Sequence, residues 1–176
     1  ITTAEIDKII YDFIVRHGAR PNFLHLYGFP ATACISVNDT VIHGIPNKQQ
    51  QIRPGDIVSI DTGCKIDGFN GDNACTYACG KIDLEAQRLL DVTKESLHRG
   101  IEMACGGNRV GDIGHAVQSY VEENGFSVVR TFVGHGVGKE LHEDPEVPNF
   151  GNAGRGARLV PGMCLSLIHI SEPTRR

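Results

Sequence analysis

The chain alternates between stretches patterned with a period of about 3.6 and stretches patterned with a period of about two. Thr2-Thr3-Ala4-Glu5 reads as a capping box, and Ile6, Ile9, Ile10, Phe13 and Ile14 come after it at helical spacing until His17-Gly18 stops the helix. Phe23 to Pro30 reads as an aromatic loop. Strand-like runs come next at Cys34–Val37 and Thr40–His43, with Asn38-Asp39 as the turn between them and Gly44-Ile45-Pro46-Asn47 as a rigid exit. Asp56 to Gly63 is β-branched and alternating, which predicts a strand, and Asp67-Gly68 is a two-residue hairpin signal. A long helix is predicted from about Asp83 to Met103, with Leu89, Leu90, Leu97 and Ile101 on its apolar side and Gly106-Gly107 as its stop. Another spans roughly Asp112 to Asn124 and ends at Gly125; strands around Ser127–Val133 and a glycine-rich segment, Gly134 to Gly138, complete the pattern.

The hairpin carries the most informative pair of residues. If Asp67 and Gly68 form the loop, Ile66 pairs with Phe69, and counting back places Asp61 opposite Ala74. Asp72 is two residues from Ala74, so it shares a face with Asp61 on the diagonal. Two carboxylates brought together there repel unless a proton or a cation lies between them. The plainer alternative is a solvent-facing pair. The two short helices also repeat each other. Glu5, Ile6, Ile10, Phe13, Ile14 and Gly18 match Asp112, Ile113, Val117, Tyr120, Val121 and Gly125, each 107 positions later. Two ordinary amphipathic helices could match in this way, but each copy precedes strands with candidate ligands. The expectation is an internal duplication, two α+β halves whose sheets meet around one site.

Composition narrows the class. At 176 residues the chain is long enough to bury a substantial core, and a net charge of −4 with dispersed signs leaves no footprint for nucleic acid or an anionic membrane. No apolar run is long enough to span a bilayer, and the N-terminus lacks a basic-then-apolar signal segment. The chain starts without methionine, so an upstream piece is expected. Cys34, Cys64, Cys75, Cys79, Cys105 and Cys164 form no CxxC pair and read as reduced thiols, which suits the cytosol.

Val133-Gly134-His135-Gly136-Val137-Gly138 sets a histidine between glycines, which permit close backbone approach. A nucleotide-binding loop is the competitor; it lacks a following helix with free N–H groups and a P-loop lysine pair. His142 lies in Leu141-His142-Glu143-Asp144-Pro145, and His43 precedes Gly44-Ile45-Pro46. A lone histidine is more often structural than catalytic. With two facing aspartates, however, these make a mixed carboxylate and imidazole set that suits Mn, Fe, Co or Zn better than Ca.

At these residues the chain resembles type I methionine aminopeptidase. The resemblance rests on Cys34-Ile35-Ser36-Val37-Asn38, His43-Gly44-Ile45-Pro46, Gly55 to Asp61, Gly68-Phe69-Asn70-Gly71-Asp72, Gly134-His135-Gly136-Val137-Gly138, Leu141 to Pro145 and Pro161-Gly162-Met163. It runs from Ile1 to about Cys164 and implies an α+β pita-bread fold with two pseudo-symmetric halves, here incomplete. It further implies two divalent metal ions (Co, Mn, Fe or Zn) held by Asp61, Asp72 and His135. His43 and His142 would face the substrate and stabilise the transition state, and Phe29 and Phe23 would line the methionine pocket. The implied reaction is hydrolytic removal of the N-terminal methionine from nascent polypeptides. The implied setting is a cytoplasmic monomer acting on N-terminal Met peptides near the ribosome, without nucleic acid or membrane binding.

Departures from the family shape the remaining expectations. Its pattern places a glutamate, which is both general base and metal ligand, at position 168, where this chain has Ile168. Glu172-Pro173 falls four residues late, and a second family glutamate has no counterpart. The stretch from Leu165 to Arg176 resembles the translation of a sequencing adapter, so residues 1–164 are expected to be the catalytic domain fragment and 165–176 an artefactual tail, His169 included. The family's tyrosine three residues before the loop aromatic is Leu26 here, with Tyr27 beside it. Truncation at both ends and little or no activity are therefore expected. The alternatives are an Xaa-Pro aminopeptidase or prolidase relative and a non-catalytic pita-bread module that binds peptides.

Overall fold

The first helix begins where its cap is encoded. In the computed structural model, which describes residues 1–167, α1 (Thr3–Arg16) starts at Thr2, whose Oγ1 accepts the Glu5 N–H, while the Glu5 carboxylate accepts the Thr2 N–H at 2.7 Å. His17 caps its other end, and Gly18 (φ 76°) turns the chain away. Contacts divide the chain into two units: residues 1–86 with 138–141, and residues 87–137 with the chain from His142 onward. The architecture is α+β, as expected. All six cysteines are thiols, and no helix among the described residues is long and apolar enough to cross a membrane.

The first unit is a sheet under a helix. β3 (Ile57–Ile66) is its spine, pairing antiparallel with β4 (Phe69–Ala78) on one edge. Its other edge takes β2 (Ala33–Val37) and the short β1 (Arg20–Pro21). Side chains alternate between faces. Ala33, Ile35, Val37 and Val58 form one apolar face, with Ile6 and Ile10 of α1 packed against it. Asp7 anchors the helix to the strand, because its Oδ1 accepts the N–H groups of Thr32 and Ala33, both at 2.8 Å.

The predicted strand at Thr40–His43 does not form. Asn38 and His43 both take positive φ, 54° and 57°, which breaks an extended run. The chain returns beside β2 at Gly44, whose carbonyl accepts the Ile35 N–H at 2.8 Å and whose N–H donates to Ser36 Oγ at 3.1 Å, and Gly44 leaves no room there for a Cβ. Asn38 instead ties this turn to the start of β3. Its Nδ2 donates to Asp56 Oδ1 at 2.8 Å and its Oδ1 accepts the Ile57 N–H at 3.0 Å.

The second unit packs α2 (Leu84–Met103) on α3 (Val110–Glu123). Its sheet, among the described residues, is β5 (Gly134–Gly136) between β6 (Glu143–Val147) and β7 (Leu165–Ser166). Asp83 Oδ1 accepts the Ala86 N–H and caps α2. Leu89, Val92 and Leu97 reach the core formed by Ile113, Val117 and Val121, whereas Ile101, expected on the apolar side, is exposed. Thr93 and Ser96 complete the buried stripe; Ser96 Oγ donates to the Thr93 carbonyl at 2.7 Å, so a polar residue sits inside at little cost. The predicted strand at Ser127–Val133 is irregular apart from a bridge at Ser127. Asn149 Nδ2 takes the carbonyls of Val129 and Phe132 that a ladder would have used. Leu165 and Ser166, expected to belong to an artefactual tail, form β7, and Leu167 packs on the core.

The packing makes two outcomes measurable. A Cβ on Gly114 would lie 2.5 Å from the Phe150 carbonyl oxygen and 2.6 Å from that of Pro148. Gly114→Ala should destabilise the chain by about 1–3 kcal/mol in urea unfolding. For Asp56, the Asn38 amide and then the Arg53 N–H lower the carboxyl pKa. A lowered folded pKa gives stability that is present above the unfolded value, near pH 3.9, and is lost as pH falls through the folded pKa. Asp56→Ala should therefore lower Tm at neutral pH, and the gap from the unaltered chain should narrow below about pH 4.

Candidate metal centre

The hairpin register builds a polar face on the first unit. Ile66 pairs with Phe69 and Asp61 with Ala74, as counted from the turn, and Gly63 lies directly opposite Asp72. Cys34 pairs with Asp61 from the other edge, and Pro21 with Cys64, so Asn22 comes level with Gly63, whose carbonyl accepts its N–H at 2.9 Å. Two rows therefore cross the sheet on one face, Cys34–Asp61–Ala74 and Asn22–Gly63–Asp72. Ser59 and Thr76 continue it with a hydroxyl contact of 2.7 Å.

Neither aspartate is solvent-facing. Asn73, Cys75 and Tyr77 take the exposed side of β4, and Asp61 and Asp72 each hold Oδ1 buried. A Cβ built on Gly63 would meet Phe23 Cε1 at 3.2 Å and Asn22 Nδ2 at 3.3 Å. Those two side chains thus lean over the aspartate face into the room that glycine leaves. Phe29 is half-buried after the turn at Leu26–Gly28, while His43 is exposed beside β2. At the hairpin tip, Asn70 Nδ2 donates to the carbonyls of Gly138 and Lys139 at 2.9 and 2.8 Å.

In the second unit β5 presents His135. Its flanking glycines are required by the backbone. A Cβ on Gly134 would lie 2.6 Å from the Ser166 carbonyl oxygen, and one on Gly136 would collide with that of Asp144. His135 is buried and its Nδ1–H donates to the Gly136 carbonyl at 2.8 Å. That bond fixes the tautomer and puts the lone pair on the buried Nε2, the arrangement a metal ligand needs. The His142 ring meets it edge-on, with centroids 4.5 Å apart. Both histidines line a cleft of about 430 Å³ with Phe132, Glu143, Asp144 and Glu146.

Among the described residues no three His, Cys, Asp or Glu side chains form a ready-made metal cluster. The chemistry of the donors nevertheless fits a divalent ion: two carboxylates share one face of the first unit, and an imidazole in the second has its tautomer set for coordination. Position 168 and the Glu172-Pro173 pair lie outside the described residues. Sequence reasoning missed Asn22 and Gly63. The hairpin register could have identified Gly63, whereas nothing in the pattern announces the short β1 that places Asn22.

The chain matches metallopeptidase family M24 over residues 1–171. It belongs to this family. The match continues past Cys164, where the resemblance was expected to end. This M24 metallopeptidase is 55% identical over 167 residues to methionine aminopeptidase of Clostridium perfringens, covering 95% of the chain and 67% of that relative. It is 48% identical to methionine aminopeptidase 1 of Bacillus subtilis, again covering 95% and 67%. The crystal structure of methionine aminopeptidase from Rickettsia prowazekii superposes with a TM-score of 0.92 at 40% identity, covering 95% of this chain and 67% of that one. The Xaa-Pro dipeptidase of Bacillus anthracis, at 20% identity and a TM-score of 0.78 over 95% of this chain and 44% of its own, shares the fold alone. The fold is the pita-bread fold of these metallo-exopeptidases, and the M24 chain spans about two thirds of its relatives' length.

Gly136→Ala should force β6 away from β5. It is expected to cost about 1–3 kcal/mol in unfolding experiments and to shift the ring NMR signals of both His135 and His142. Unchanged stability and signals would show that the close approach is dispensable.

Proposed function

We propose that this chain is a methionine aminopeptidase, removing the N-terminal methionine of nascent polypeptides by hydrolysis. The observation carrying the reading is the half-buried aspartate face set by the β3–β4 register, in a chain 55% identical to an enzyme of that name. Asp61, Asp72 and His135 are the residues that would hold two divalent ions, Co, Mn, Fe or Zn. Such ions, when bound, supply Lewis acidity toward the scissile carbonyl and lower the pKa of water.

The chain's own residues do the rest. The Nδ1–H bond from His135 to Gly136 keeps its lone pair aimed from Nε2. His142, in edge-on ring contact with His135, would donate to negative charge developing on the carbonyl oxygen. His43 takes a second substrate-facing role. Phe23 and Phe29 form the apolar wall for the methionine side chain, and Phe23 screens the aspartate face from water. Ile168 stands where the family's pattern has a glutamate, so weakened metal binding and little turnover are proposed for this polypeptide. A monomer acting in the cytoplasm on chains emerging from the ribosome completes the reading.

Titration with Co²⁺ or Mn²⁺ and a Met-Ala-Ser cleavage assay test it together. Weak metal uptake that Asp61→Ala and Asp72→Ala each abolish is the expected result, with cleavage near background. Uptake indifferent to both substitutions would overturn the ligand assignment. Preference for an Ala-Pro peptide over a Met-Ala one would overturn the substrate, and robust turnover would overturn the argument from Ile168.

A further inference from the structure

We propose that Asn22 is a substrate-positioning residue whose side-chain amide donates a hydrogen bond to the first residue of a bound peptide. The inference rests on the aminopeptidase reading above. Asn22 Nδ2 is buried and has no hydrogen-bond partner among the described residues. A buried amide N–H without an acceptor is costly and rare. Such a donor is open to an acceptor that a bound ligand brings.

Its place in the sheet says which ligand group could do so. Asn22, Gly63 and Asp72 form one row across three strands, on the face that also carries Asp61. With neighbouring strands about 4.8 Å apart, Asn22 and Asp72 stand roughly 10 Å from each other across the row. Gly63 puts no side chain between them. The ring of Phe23 closes the same space, since its Cε1 and Asn22 Nδ2 would both lie within 3.3 Å of a Cβ on Gly63. A group seated between Phe23 and the aspartates meets the amide N–H directly. The first residue of a methionine peptide brings two atoms that accept and never donate, its carbonyl oxygen and its thioether sulfur.

The test uses the 176-residue chain with Asn22→Leu, which keeps the branched shape and removes the donor, and Asn22→Asp, which keeps the shape and replaces the donor with an acceptor. Calorimetric titration with Met-Ala-Ser should show affinity reduced roughly 3- to 10-fold by Asn22→Leu, and at least as much by Asn22→Asp. The ligand-free Tm of Asn22→Leu should hold or rise, because no internal bond is removed; a merely structural asparagine would lower it. Norleucine-Ala-Ser identifies the acceptor: equal losses with both peptides assign the carbonyl oxygen, and a loss confined to the methionine peptide assigns the sulfur. Unchanged affinity for Met-Ala-Ser in Asn22→Leu, or a lower ligand-free Tm, would overturn the role of Asn22 alone. Failure of the unaltered chain to bind Met-Ala-Ser would remove the aminopeptidase reading and this inference with it.

Discussion

The Asp67-Gly68 turn fixes the register of β3 against β4, and the chemistry available to the first unit depends on that register. Both residues have positive φ, 51° and 85°, as a two-residue turn that matches the twist of its strands requires. Side chains alternate strictly between faces, so a slip of one residue would turn Asp72 away and bring Asn73, Cys75 and Tyr77 to the side of Asp61. The apolar face, built by Ala33, Ile35, Val37 and Val58 beneath Ile6 and Ile10, comes from α1, β2 and β3. The turn and the ladder themselves therefore hold β4 in register.

The polar face gathers like charge, and carboxylates on a sheet diagonal repel one another. Full exposure would screen that repulsion, but Asp61 and Asp72 each bury one oxygen. A divalent cation offsets both terms at once, which is why the proposed metal role accounts for the burial better than a surface pair does. Gly63 fits the same logic. Its missing side chain keeps the centre of the face open, and Phe23 and Asn22 border the opening.

Much of this was legible in the sequence, and the exceptions have physical reasons. The hairpin was readable because period-two alternation and an Asp-Gly turn are local signals that agree. The caps of α1 and the burial of Ile14, Val117 and Val121 were readable for the same reason. Thr40–His43 misled because β-branched residues advertise a strand, while the left-handed backbone of His43 and the tight approach of Gly44 to Ile35 prevent one. Ser127–Val133 misled because Asn149, some twenty residues later, claims its carbonyls. Asn22 was invisible because a two-residue strand, β1, has no period to detect. His135 was visible as a residue between glycines, but the reason for the glycines, the carbonyls of Ser166 and Asp144, lies in other strands.

The two short helices share an apolar pattern, and their surroundings show what that pattern specifies and what it leaves open. Ile6, Ile10 and Ile14 face inward on α1 as Ile113, Val117 and Val121 do on α3, yet the surroundings differ. α3 is packed by Leu89, Val92 and Leu97 of α2 and its three apolar residues are almost fully buried, whereas on α1 Ile9 and Phe13 remain 58% and 62% exposed. The shared pattern thus specifies one layer, a helix laid by its apolar stripe against the core of its own unit. It does not specify donors. The first unit places carboxylates by hairpin register, and the second places an imidazole by pressing two strands against glycines. Carboxylate oxygens and imidazole nitrogen are the mixed set that a transition-metal ion favours over calcium. Each unit holds its own candidate donor by its own backbone, through the β3–β4 register in the first and the Gly134 and Gly136 close approaches in the second.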